Sequence, residues 1–449
     1  MKRSFLLTAV LWVAFATLAS AQSHGSYFFE NSLLRSKLNP AFAPQVTYLS
    51  VPVAGSFSLD VAGNVGYGNL VFPRGDKNYL FLNENVPAED FLAKLPDADP
   101  YLQERFATDL LGGGMAVGSH GYATVSLSFV QDGRGTLPGD LLRFAKVSDA
   151  GQFSGRFDNF RVLLAGYTSL AAGYSHDLNA LVSGLRVGGR LQLLVGTAAA
   201  NVAIHQMDLQ FGPDLVAAHS FGSGSLSGIS YDPSEGFSLM GFGLRGIGAA
   251  VDLGVAYRIP LHGFVDDIEL SASVCDLGWL HFNRCLTRLD LNGSLSFAGI
   301  SDFSGDLDEQ LEALFTELNS LTHFETSDGS SFRYGLSPSI HAGAAASFLQ
   351  HKANAGLLYY RTVGHDNLMA SVGGSPFEWL NLGVNWTFLG PASRFGFYAE
   401  YIPKQYVGFF IGMERASWRT NNRLLPIGNA TTSLSLGLNV LFGDYSFWR

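Results

Sequence analysis

The chain is 449 residues long, 47% hydrophobic and only 15% charged, with 52 glycines and a formal net charge of −10. That acidic balance argues against nucleic acid, which demands clustered positive charge, and two cysteines are too few for a disulfide-built scaffold. Low charge, abundant glycine and many aromatics, with no long apolar run after the first, suit a membrane β-barrel, whose strands spread their hydrophobicity over every second residue.

In chain order, Lys2 and Arg3 precede an apolar run from Ser4 to Leu18, and Ala19-Ser20-Ala21 supplies the small-x-small pattern of a cleavage site. Residues 1–21 are read as a cleaved signal peptide, because about 15 apolar residues fall short of the roughly 20 that span a bilayer as a helix. Residues 22–44 are expected to form a periplasmic or luminal N-terminal segment, and 45–449 an outer-membrane barrel.

Period-2 alternation runs from about residue 46 to the end. Ala123, Val125, Leu127 and Phe129 oppose Tyr122, Thr124, Ser126 and Ser128. Ile247, Ala249, Val251, Leu253, Val255, Tyr257 and Ile259 oppose small or charged residues. Ile268, Leu270, Ala272 and Val274 repeat the pattern, as do Leu380 to Phe388 and Leu434 to Phe442. Strands of ten or more residues exceed the soluble mode of about 5–6, and inner faces of Gly, Ser and Asn fit a crowded or watery lumen. At roughly 25 residues per strand and connection, about 14 strands are expected, with 12 to 16 allowed.

Two segments break this rhythm. Residues 84–112 carry Phe91, Leu92, Leu95, Tyr101, Leu102, Phe106, Leu110 and Leu111 at spacings of three to four around Pro96 and Pro100, and are read as two short amphipathic helices. Residues 305–321 read as one acidic amphipathic helix. Such inserts cap the barrel, plug its lumen or dock a partner, and if the lumen is filled the segments 73–113 and 301–330 are the candidates.

Aromatics gather at strand ends, among them Tyr359, Tyr360, Trp379, Tyr398, Tyr406, Phe409, Phe410 and Trp448, as expected of interfacial girdles. Asp252, Arg258, Glu269 and Glu400 fall on polar strand faces. They line an open lumen or form a network across a plugged one. Cys275 and Cys285 either pair in an oxidising periplasm or remain unpaired thiols.

Motifs of catalysis fail on context. Gly241 to Gly246 matches G-x-G-x-x-G, but the residues after Gly246 alternate like a strand instead of opening the helix a dinucleotide needs. Ser175-His176-Asp177 are strand neighbours whose side chains diverge, whereas a triad converges. The 11 histidines show no metal-ligand spacing, and His341 and His351 read as solvated. No catalytic residue, cofactor or metal is expected, and the chain is read as a non-enzyme.

Residues 33–44 read LLRSKLNPAFAP and 48–61 read YLSVPVAGSFSLDV. With Asn39-Pro40-Ala41 just before the first strand, and Asp276-Leu277-Gly278 followed by Trp279, this resembles a Bacteroidota family of uncharacterised outer-membrane barrels. That family is similar to the PorV and PorP/SprF barrels of type IX secretion and, more remotely, to FadL-type transporters. Asn39-Pro40 stops any helix and sets an extended lead-in, and Asp276 and Gly278 fit a tight turn. The resemblance implies a barrel of about 14 strands serving secretion or the uptake of apolar molecules. The ending Phe447-Trp448-Arg449 departs from the aromatic terminus of many such barrels, and the two cysteines lie outside the family pattern.

The expected function is thus a channel or transport barrel for small or apolar solutes, seated in outer-membrane lipid. An accessory barrel of a secretion machine, with secretion-system or surface-lipoprotein partners, is the alternative, and a surface hydrolase, which would need a convergent polar site, stands third.

Overall fold

The computed structural model describes residues 24–442 except 45, 75–76, 148–152, 213–214, 233–235, 242, 291–292, 298–324, 363–364, 404–405 and 417–430. The signal-peptide region and the helix expected at 305–321 lie outside these residues.

Alternating side chains produce one dominant feature, a closed antiparallel barrel of 14 strands. They are β1 (Thr47–Ser50, resuming as Phe57–Gly63), β2 (Tyr101–Val117), β3 (Gly121–Thr136), β4 (Phe160–Asp177), β5 (Leu185–Gly212), β6 (Gly246–Pro260) and β7 (Val265–Phe282). Next come β8 (Ser339–Phe348), β9 (Ala353–Thr362), β10 (His365–Phe377), β11 (Leu380–Leu389), β12 (Arg394–Tyr401), β13 (Tyr406–Arg415) and β14 (Thr432–Phe442). The ring closes where β14 pairs with β1, Thr47 opposite Phe442. Closure leaves no open edge in the barrel wall, as a chain surrounded by hydrocarbon requires.

The two faces separate as the alternation predicts. Leu253, Leu382 and Leu436 are 57%, 47% and 38% exposed on the outside, while Asp252, Asn381 and Ser435 beside them are buried within. Short turns such as 118–120, 178–184, 261–264 and 349–352 join strands at the end where β1 begins. The described residues of the long connections 64–100, 137–159 and 283–338 lie at the other end. There β5 runs on past its β6 partner and pairs with Leu215–Ser227, which in turn pairs with Leu286–Asp290 and Gly293–Phe297. A lobe packed around Phe72, Phe81, Phe91 and Leu95 also sits at that end.

The reading of 84–112 as two helices is half corrected. A helix forms at Ala88–Leu92, but Tyr101–Val117 is strand β2. The register slips between Asp109 and Leu111. This bulge puts Leu102, Phe106, Leu111 and Met115 on one face at spacings of four and five, which imitates a helical period.

Asp276 and Gly278 are corrected as well: they lie inside β7, not at a turn. The β6–β7 register slips between Val251 and Leu253, and Asp276 adopts φ +59°. The extra residue re-aims the strand, so that Leu277 and Trp279 take over the outer face from Leu270.

Candidate functional site

Residues 24–44, expected as part of a periplasmic or luminal segment, occupy the barrel interior, for which 73–113 and 301–330 were the other candidates. The segment turns at His24–Ser26, winds one helical turn at Arg35–Leu38 and leaves it at Asn39, which is extended at φ −146°. Pro40 disfavours helical geometry for the residue before it. The freed Asn39 amide donates to the carbonyls of Val255 (3.2 Å) and Ala272 (3.3 Å), and its Oδ1 accepts from the Ala41 N–H at 2.9 Å. Asn39-Pro40-Ala41 thus fixes the plug to β6 and β7.

Aromatic side chains seat the rest. Tyr27 meets Phe28 and Phe42 edge-on at 5.2 Å, and Phe29 stacks on Tyr398 at 5.6 Å beside Phe410. His24 stacks on Tyr360 at 3.8 Å. Tyr360, Tyr398 and Phe410 therefore face inward, a correction to their reading as girdle residues; Tyr359, Tyr406 and Phe409 beside or near them are exposed. Wall glycines make the room. A Cβ at Gly356 would stand 2.8 Å from Phe28, one at Gly373 would run into the Phe29 ring, and one at Gly188 into the Pro40 carbonyl.

Charge holds the plug at defined points. Buried Arg35 pairs with Glu269 and lies 3.6 Å over the Phe42 ring. Arg258 reaches Glu30 (3.0 Å), Asp267 (3.3 Å) and Glu269 (3.1 Å). Glu400 accepts the Leu33 N–H at 3.2 Å and the Asn381 amide at 3.1 Å. Lys37 meets Asp109 at 2.5 Å. Removing one member of a buried pair typically costs about 3–5 kcal/mol, since the other charge stays dehydrated. Burial pushes the Glu30 carboxyl up, but the His351 hydrogen bond and the Arg258 charge outweigh it and bring it down to about 2.

Beside the plug, a second network crosses the lumen. Asp252 accepts from Arg190 (2.5 Å), Gln192 (2.9 Å) and the Asp276 N–H (2.6 Å). Asp276 in turn receives Arg105 from β2 at 2.6 Å. The left-handed bulge at Asp276 is what aims that N–H at Asp252. All four charged residues expected on the lumen face are inside; Arg258, Glu269 and Glu400 bind the plug, and Asp252 anchors the cross-lumen network.

Other expected features separate. Cys275 is buried and Cys285 exposed, both free; the strand after Cys275 alone carries the chain roughly 20 Å away. His341 is buried, not solvated, and His351 is exposed. Ser175 and Asp177 face inward, Ser175 donating to the Ala41 carbonyl at 3.0 Å, while His176 lies beside Tyr174 on the opposite face. Gly246 opens strand β6. The sequence reading missed Glu30, Arg35, Lys37 and Arg190, although the run Tyr27-Phe28-Phe29, too apolar for a tail, marked the segment.

The space left beside the plug is a cavity of about 90 Å³, lined by Ser56, Ser58, Ser126, Ser128, Ser169 and Ser435 with Lys37, Asp109 and Arg105. Leu34, Leu38, Ala107, Val130 and Ala171 also line it, so its walls are as apolar as they are polar.

Among solved structures, the toluene transporter TbuX of Ralstonia pickettii is similar over 92% of this chain and 94% of its own, at 8% identity and a TM-score of 0.34. The β domain of the Bordetella autotransporter BrkA matches over 89% and 100%, at 9% identity and a TM-score of 0.27. The ferric preacinetobactin receptor BauA of Acinetobacter baumannii matches over 86% of this chain and 57% of its own, at 8% identity and a TM-score of 0.24. No curated protein matches the chain. Residues 40–413 match a family of unknown function, DUF5723, and the chain belongs to that family.

Proposed function

We propose that the protein is an outer-membrane transport barrel with a gated lumen, its gate being the segment 24–44. The observation that carries this is the seating of that segment on buried but separable contacts, Arg35–Glu269, Leu33–Glu400 and the aromatic sockets. A barrel needing only mechanical filling is served by apolar packing, whereas ionic seats come apart when water enters. The outward apolar belt supports a lipid setting, with the short turns and the Phe442 end of the described chain on the periplasmic side. The cavity, which mixes hydroxyls and paired charges with apolar side chains, suits small solutes.

Planar-bilayer conductance tests it. The intact barrel is expected to be closed at rest, and a variant lacking residues 24–38 to show steady ionic current. A deletion variant that folds as a barrel yet carries no current overturns the gate.

A second reading, an accessory barrel of an export machine, draws on the sheet extension built on β5 and its partner strands at the far end. Native affinity capture tests it: a surface or secretion partner lost when Leu215–Ser227 is removed supports it, and capture indifferent to that removal counts against it.

A further inference from the structure

Where the plug crosses the short-turn end of the barrel, three elements bring metal-binding groups together. Glu30 comes from the plug, Asp267 from the start of β7, and His351 from the turn between β8 and β9. One ligand atom of each lies within 4.8 Å of the others. His351 Nδ1 stands 3.1 Å from Glu30 Oε1 and 3.6 Å from Asp267 Oδ2. Tetrahedral ligands held at 2.0–2.1 Å from zinc are spaced about 3.3 Å apart, so these separations need little adjustment.

Two further observations point to a cation. Asp267 is buried and its Oδ1 has no hydrogen-bond partner, an arrangement that costs free energy unless something positive fills it. Glu30 and Asp267 also share a single guanidinium, that of Arg258, which contacts Glu269 as well.

The geometry points to a zinc site at Glu30, Asp267 and His351 that clamps the plug to the barrel wall. One imidazole and two carboxylates with an open fourth position suit zinc; calcium takes six to eight oxygens. Metal bound here would displace any proton on His351 Nδ1 and share the carboxylates with Arg258, which keeps Glu269 at 3.1 Å. The exposure of His351 gives the ion a path from solvent. The inference concerns how the plug is held and stands whether or not the lumen conducts.

The test uses the full barrel in detergent micelles with zinc chloride as the only added metal. Calorimetry is expected to give one saturable site, weakened at least tenfold by His351→Ala and by Glu30→Gln. Both changes leave the strands intact, and barrel folding is checked by heat-modifiable migration. Zinc is also expected to slow amide exchange across residues 27–34 in the wild type and not in His351→Ala. Saturable binding of equal strength in all three proteins, or none in the wild type, overturns the site. Binding lost in the variants without any change in exchange overturns the clamp.

Discussion

His24 shows how a single side chain ties the plug to conditions outside. It is buried against Tyr360, and its Nε2 has no hydrogen-bond partner. Burial first, then the nearby His341 and Arg394, hold its pKa well below the ordinary value of 6.5. A docked His24 is therefore neutral, while an undocked one binds a proton below about pH 6.5. Docking is at full strength above that pH and weakens as pH falls, by up to about 1.4 kcal/mol per unit from this one group. Limited proteolysis within residues 24–44 should thus accelerate between pH 7.5 and 5. Comparison with His24→Phe cancels the other titrating groups, and the difference between the two proteins should grow only on the acid side. Nothing at the sequence level marked this residue, since an isolated histidine early in the chain reads the same whether it is buried or free.

At the scale of elements, the wall glycines are sockets. Gly373 on β10 and Gly383 on β11 both front the Phe29 ring. Gly373→Leu should force Phe29 out at a cost of about 1–3 kcal/mol, read as a rise of roughly tenfold in protease cleavage of the plug. Phe29→Ala in the same protein should recover barrel stability without recovering the docked plug. The sequence displayed these glycines on polar strand faces, where a watery lumen and a filled one predict the same residue types. Hence Asp252, Arg258, Glu269 and Glu400 could be placed inside, but what they hold could not. Bulges were the other blind spot. The slips at Asp109 and Asp276 change which face a residue joins, so a strand was read as a helix at 101–111 and a strand interior as a turn at 276–278.

The whole molecule was the most legible level. A barrel with an apolar outer belt demands a strict outward face on each strand, so alternation over Ile247–Ile259, Leu380–Phe388 and Leu434–Phe442 made the barrel legible, while chain length bounded it at about 12 to 16 strands. A direct check is Leu253→Arg, which puts a charge on the outer face at mid-strand. It should destabilise the folded barrel by about 2–4 kcal/mol in lipid vesicles, measured by reversible denaturant unfolding, whereas the same change in a short turn such as Leu181→Arg should cost little. Equal costs at the two positions would remove the lipid-facing assignment.

One contact spans the chain almost end to end: the Leu33 N–H bonds Glu400, 367 residues later. Its acceptor is in place only once β12 has joined the wall, and pairings between such distant partners form slowly. The stretch synthesised ahead of the barrel is consequently settled after it, and every newly assembled copy passes through an interval with its bore unstoppered.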